Sequence, residues 1–187
     1  LGHFTDTLAR DGLIGIAMSA SKPLMRYFGA KGEALSTNPL SIAVPSRAGV
    51  PMILDMSTAA VALGKIMAAR DQGASIPEGW GIDENGKPTT DPNKVKALMP
   101  MAGPKGSGLS LMIEVLASVL AGNPLIGPAL TQTGNGGFNG LVIAADPAAF
   151  GELSAFEAAI AQLETAIHAL EPVADEPVLL PGERGAA

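Results

Sequence analysis

The stretch PMAGPKGSGLSLMIEVLASVLAG, residues 100–122, sets one lysine, Lys105, among glycines and then runs into an apolar segment. A Gly-rich turn that opens a helix offers unpaired backbone N–H groups and the positive end of the helix dipole, which suits an anion such as phosphate. The spacing is not that of a P-loop, because Lys105 is followed by Gly106 and no Gly-Lys-Ser or Gly-Lys-Thr occurs. A second candidate is Asp55-Met56-Ser57-Thr58, where an apolar strand hands over to a helix. There Ser57 or Thr58 can cap the helix, and Asp55 at the strand end can accept from ribose hydroxyls. No G-x-G-x-x-G accompanies it, so a Rossmann fold is not indicated. Asp83-Glu84-Asn85-Gly86 has the residue types of a calcium loop, but its glycine comes fourth where an EF-hand has it sixth, which predicts a turn. His3 and His168 have no Ser, Cys or carboxylate partner at motif spacing and read as packed or solvated side chains, not as catalytic groups.

Composition removes several classes of function. The chain has no cysteine, hence no disulfide, thiolate metal site or Cys nucleophile, and with two histidines no metal centre is expected. Twelve basic against eighteen acidic residues, without a Lys/Arg cluster, leave no footprint for nucleic acid. The apolar run from Leu109 to Leu120 is interrupted by Ser110, Glu114 and Ser118 and falls short of the ~18–20 residues of a membrane span. At 187 residues and 47% hydrophobic content, the chain can bury a core of its own.

The elements that must position these residues alternate. A helix ending at Gly12 comes first, and apolar runs bounded by Gly, Pro and Asp predict strands at 13–19, 40–45, 51–56 and 140–146. Helices are predicted over 57–71, 107–121 and 152–170. The last carries Leu153, Phe156, Ile160, Leu163, Ile167 and Leu170 on one face, which reads as core. Between them lies a long loop, residues 75–92, dense in Gly, Pro, Asn and Asp. The fold class is α/β, or α+β.

STNPLSIAVPS, PMILDMSTAAVALGKI, IPEGWGIDENGKPTTDP and the Lys105 stretch, in this order, together resemble the malate/L-lactate dehydrogenase family. This family is unrelated to the Rossmann lactate dehydrogenases and includes ureidoglycolate, sulfolactate and diketogulonate oxidoreductases. The resemblance runs from about Gly12 to Glu183. It implies a non-Rossmann domain, with a largely antiparallel sheet flanked by helices, that binds NAD or NADP. It also implies hydride transfer between that cofactor and a small 2-hydroxy or 2-keto acid such as malate, lactate or ureidoglycolate. By motif, the segment from Pro51 through Leu54, Asp55 and Met56 to Ser57, the pair Pro104 and Lys105, and Gly182 and Glu183 match its dinucleotide contacts, as does Ser21. The glycines at 103, 106 and 108 would let backbone approach the cofactor closely.

The sequence departs from the family at Ser36, where glycine is usual before Thr37-Asn38-Pro39. The family's Ser-His motif and a later histidine, which supply acid/base chemistry, have no counterpart, and His3 matches a position inside the helix that follows them. Residues 1–187 are therefore expected to be the cofactor-binding central portion of a longer dehydrogenase, without its N-terminal catalytic segment and inactive alone. The complete enzyme is expected to be a cytoplasmic homodimer that engages neither membrane nor nucleic acid. The rival expectation is a stand-alone, non-catalytic nucleotide-binding module.

Overall fold

The computed structural model describes residues 1–46, 49–134, 137–173 and 176–183. Two compact units emerge, each assembled from separated stretches of chain. The first comprises 1–17, 40–56 and 142–187, the second 18–39 and 57–141.

In the first unit, helix α1 (Gly2–Arg10) precedes strand β1 (Ile14–Ser21), whose first four residues belong here. Strands β4 (Leu40–Val44) and β5 (Met52–Met56), the last four residues of β8 (Phe138–Ala145) and helix α5 (Leu153–His168) complete it. The sheet order is β5-β4-β1-β8, and β4 pairs antiparallel with β5 from Leu40↔Met56 to Val44↔Met52. Helix α1 lies on this sheet through a buried hydroxyl pair, Thr5 Oγ1 and Ser41 Oγ, 2.6 Å apart. Gly15 permits the approach, since a Cβ there would stand 3.1 Å from both the Leu8 side chain and the Thr5 Cα. Asp55 Oδ2 accepts from Gly2 N at 2.6 Å, which ties the end of β5 to α1. At the sheet edge, Ile53 N donates to Pro181 O at 3.3 Å. Helix α5 departs from expectation. No residue on it is fully buried, and Leu153, Leu163 and the following Leu170 are exposed, so its apolar stripe is not core.

The second unit holds a small mixed sheet of order β3-β2-β7-β6, from β2 (Met25–Arg26), β3 (Glu33–Leu35), β6 (Gly81–Ile82) and β7 (Ala97–Leu98). Two pairings are antiparallel, and β2–β7 is parallel. Its core gathers Met25, Leu35, Val61, Ile66, Ile76 and Leu98, with Trp80 packed against them. Helix α2 (Leu63–Asp71) starts six residues later than predicted. The reason lies in the backbone: Thr58 N donates to Thr37 O, Met101 N to Thr58 O, and Ala60 N to Met99 O, which ties 58–60 into a bridge of Ala59 with Pro100. Ser57 and Thr58 therefore cap nothing, and Thr58 Oγ1 is buried without a partner. Helix α3 (Pro104–Glu114) opens with proline at its first turn and passes into a π-helical turn, Val115–Val119. A short α4 (Ile126–Leu130) follows. The Asp83 segment is the expected turn, its Oδ1 accepting from Asn85 N and Lys87 N, each at 2.9 Å.

Among the described residues, no helix is long and apolar enough to cross a membrane, and no group of His, Asp and Glu could hold a metal ion.

Candidate functional site

Within the first unit, a cavity of about 390 Å³ forms where α1, the β4–β5 connection, the end of α5 and residues 180–183 meet. That volume lies in the ~300–1,000 Å³ range of small-molecule sites. Val50, Pro51, Met52 and Leu180 give it an apolar wall, while α1 contributes Asp6 and Arg10 one turn apart. Arg10 Nε bonds Asp6 Oδ2 at 2.8 Å, and this carboxylate raises the guanidinium above its ordinary value. Helix α5 contributes Glu164, which accepts from Ser46 Oγ at 3.2 Å, and His168.

His168, solvated at the end of α5, has a partner that no motif spacing discloses. Its Nε2 lies 2.9 Å from Glu183 Oε1 and 3.0 Å from Oε2, so it has a carboxylate partner after all, fifteen residues onward. Glu183 also accepts from Leu180 N at 2.6 Å. The His168 hydrogen bond first, then the Leu180 N–H, hold the Glu183 carboxyl below its usual range, against a smaller opposing effect of desolvation. No local motif announces a pair that forms only when the chain returns to the end of α5. The Asp6–Arg10 pair, by contrast, has the i,i+4 spacing of a helical ion pair, a signal the sequence reading left unused.

Three residues matched to dinucleotide contacts, Pro51, Gly182 and Glu183, line this cavity. Leu54, Asp55 and Met56 continue along β5 but do not line it, and Asp55 Oδ2 is engaged at the start of α1. The others fall in the second unit. Ser21 Oγ pairs with Ser36 Oγ at 2.6 Å, which gives the departure from glycine at Ser36 a local role. Ser57 is half-buried in the connection between β5 and α2, while Pro104 and Lys105 are exposed in the first turn of α3.

That first turn is less of an anion cradle than its glycines suggested. Pro104 has no N–H, Gly106 N donates to Met101 O at 2.9 Å, and Ser107 N to Gly103 O at 3.3 Å. Gly106 serves internal packing: a Cβ there would lie 2.9 Å from Thr58 O and 2.8 Å from Met101 N. Gly103 is needed for its φ of 62°, whereas Gly108 faces open space.

The donor set fits a nucleotide in kind. An apolar wall suits a base, and an ionised carboxylate held ready as an acceptor, Glu183, suits sugar hydroxyls.

Residues 1–187 match the malate/L-lactate dehydrogenase family over their whole length. The ureidoglycolate dehydrogenase (NAD(+)) of Escherichia coli O157:H7 is 47% identical over 124 residues, 66% of this chain and 36% of that protein. The L-sulfolactate dehydrogenase of Methanocaldococcus jannaschii is 36% identical over 188 residues, 97% of this chain and 54% of that one. A crystal structure of a dehydrogenase from Sinorhizobium meliloti superposes with a TM-score of 0.84 at 36% identity, covering 98% of this chain and 55% of that chain. The chain thus spans about a third to a half of the length of these relatives. With the family match complete along the sequence and the fold shared with a solved member, the chain belongs to the malate/L-lactate dehydrogenase family.

Proposed function

We propose that the chain is the dinucleotide-holding part of an oxidoreductase that transfers a hydride between NAD or NADP and a small 2-hydroxy or 2-keto acid. The observation that carries this reading is the convergence of Pro51, Gly182 and Glu183, three residues singled out by motif, on one cavity with an apolar wall and a polar rim. Relatives named as NAD(+)- and NADP(+)-dependent dehydrogenases acting on ureidoglycolate and sulfolactate support the class of cofactor and substrate. The bound nicotinamide supplies or accepts the hydride. The chain's own part is to bind and orient it: Glu183 accepts hydroxyl hydrogen bonds, the Pro51 wall excludes water, and Lys105 offers its ammonium to an anionic group. Ser21, Ser57 and the β5 residues Leu54 to Met56 belong to the same proposed contact set.

Oxidising an alcohol also needs a general base within hydrogen-bond reach of its hydroxyl. His3 is exposed on α1 and His168 is engaged with Glu183, so the proposal assigns neither that role. Fluorescence titration of the 187-residue chain with NADH and NADPH, beside assays with malate, lactate and ureidoglycolate, tests both halves. Saturable binding without turnover is expected. Absence of any dinucleotide binding overturns the first half, and robust turnover overturns the second.

A further inference from the structure

Residues 180–183 are fixed at two places. On one side Ile53 N donates to Pro181 O, and Gly182, at φ 96°, sits so close that a Cβ would stand 3.0 Å from Ile53 O. On the other, His168 reaches across from the last turn of α5 and bonds both oxygens of Glu183. A glutamate at a chain bend, 37% exposed, would ordinarily sample several rotamers. Here donors from α5 and from Leu180 N select one of them. An ionised carboxylate has roughly four lone-pair directions, so a ligand hydroxyl can still be accepted beside these contacts.

We propose that His168 is a positioning residue for dinucleotide binding: by clasping Glu183 from α5, it holds 180–183 against β5 and presents the carboxylate preformed to the cofactor's ribose hydroxyls. This rests on the dinucleotide reading of Glu183 given above. Asp6 and Arg10 from α1, and Glu164 from α5 itself, line the same cavity.

The experiment measures NADH affinity of the 187-residue chain and of its His168→Ala and His168→Gln variants in one buffer. His168→Ala is expected to bind NADH about three- to tenfold more weakly than the parent, the size of one hydrogen bond lost. His168→Gln, whose amide still donates, is expected to recover part of that affinity. Amide exchange at Ile53 and Leu180 in the ligand-free chain should quicken in the Ala variant and be restored in the Gln variant.

Parent-like affinity in His168→Ala overturns the inference alone. Should that variant fail to fold by circular dichroism, parent-like affinity in His168→Phe, which keeps the ring's bulk without a donor, overturns it equally. Absence of NADH binding by the parent overturns the dinucleotide reading itself, and the inference with it.

Discussion

Lys105 stands exposed in the first turn of α3 with no ion-pair partner among the described residues. Because the backbone around it is largely engaged, any anion drawn there depends on the ammonium itself. Lys105→Ala should weaken dinucleotide binding by about 1.5–3 kcal/mol, the value of a hydrogen bond to a charged group, with the far-UV spectrum unchanged. Unaltered affinity would return Lys105 to the ordinary surface charges. Glu183 makes a different prediction, in acid. Its folded-state pKa lies below the ordinary carboxylate value through His168 and Leu180, so its stabilising contribution is present above that ordinary value and is lost as pH falls through the lowered one. Glu183→Gln should flatten the acid limb of a stability–pH curve; an identical limb in both proteins would mean the clasp is too solvent-screened to matter. Identity and local motif made Lys105 and Glu183 visible as candidates. They could not reveal that Asp55 meets the start of α1, or that His168 meets Glu183, because both contacts join residues far apart in sequence.

At the scale of elements, the start of α3 is governed by Gly106. Its missing side chain lets the helix settle onto the Met101 and Thr58 backbone, which a flexible neighbour could vacate but a carbonyl in a hydrogen-bonded segment cannot. Gly106→Ala should cost about 1–3 kcal/mol, as overpacked sites do, read as a lower urea midpoint at unchanged slope. A midpoint equal to the parent's would show the loop to be softer than its hydrogen bonds imply. Strands β1, β4, β5 and β8 were legible to within two residues at every end, because apolar runs bounded by turn residues leave little choice of pairing, whereas the two- and three-residue strands β2, β3, β6 and β7 are too short to show a pattern. The start of α2 was not legible. Ser57 and Thr58 make a plausible cap, yet the backbone bonds of Thr58 and Ala60 to Thr37, Met99 and Met101 outweigh local propensity. Helix α5 shows the converse: its 3.6-residue stripe foretold the helix and the amphipathic face, while periodicity says nothing about whether that face has anything to lie against.

At the scale of the whole molecule, apolar surface remains uncovered. On α3 and the π-helical turn, Ile113 and Ala117 are buried while Met112, Val119 and Leu120 are 54%, 51% and 70% exposed. A helix apolar nearly all round is one that expects cover on every side. The isolated chain should accordingly self-associate and bind hydrophobic dyes, which light scattering behind size exclusion would register. A stable, dye-silent monomer near 18.9 kDa would overturn this expectation. The other hazard of exposed structure, the open edge of a sheet, is partly met within the fold at one edge. Strand β5 ends the order β5-β4-β1-β8, and its outward Ile53 N–H is taken by the carbonyl of Pro181. Proline can accept that bond but has no N–H with which to continue a ladder. The tail segment thus behaves as a terminator: it occupies the position where a neighbouring molecule's strand would dock and offers that strand no donor at Pro181. Addition of a neighbouring strand should then be disfavoured beside Ile53, where β5 has no free donor to seed a growing sheet.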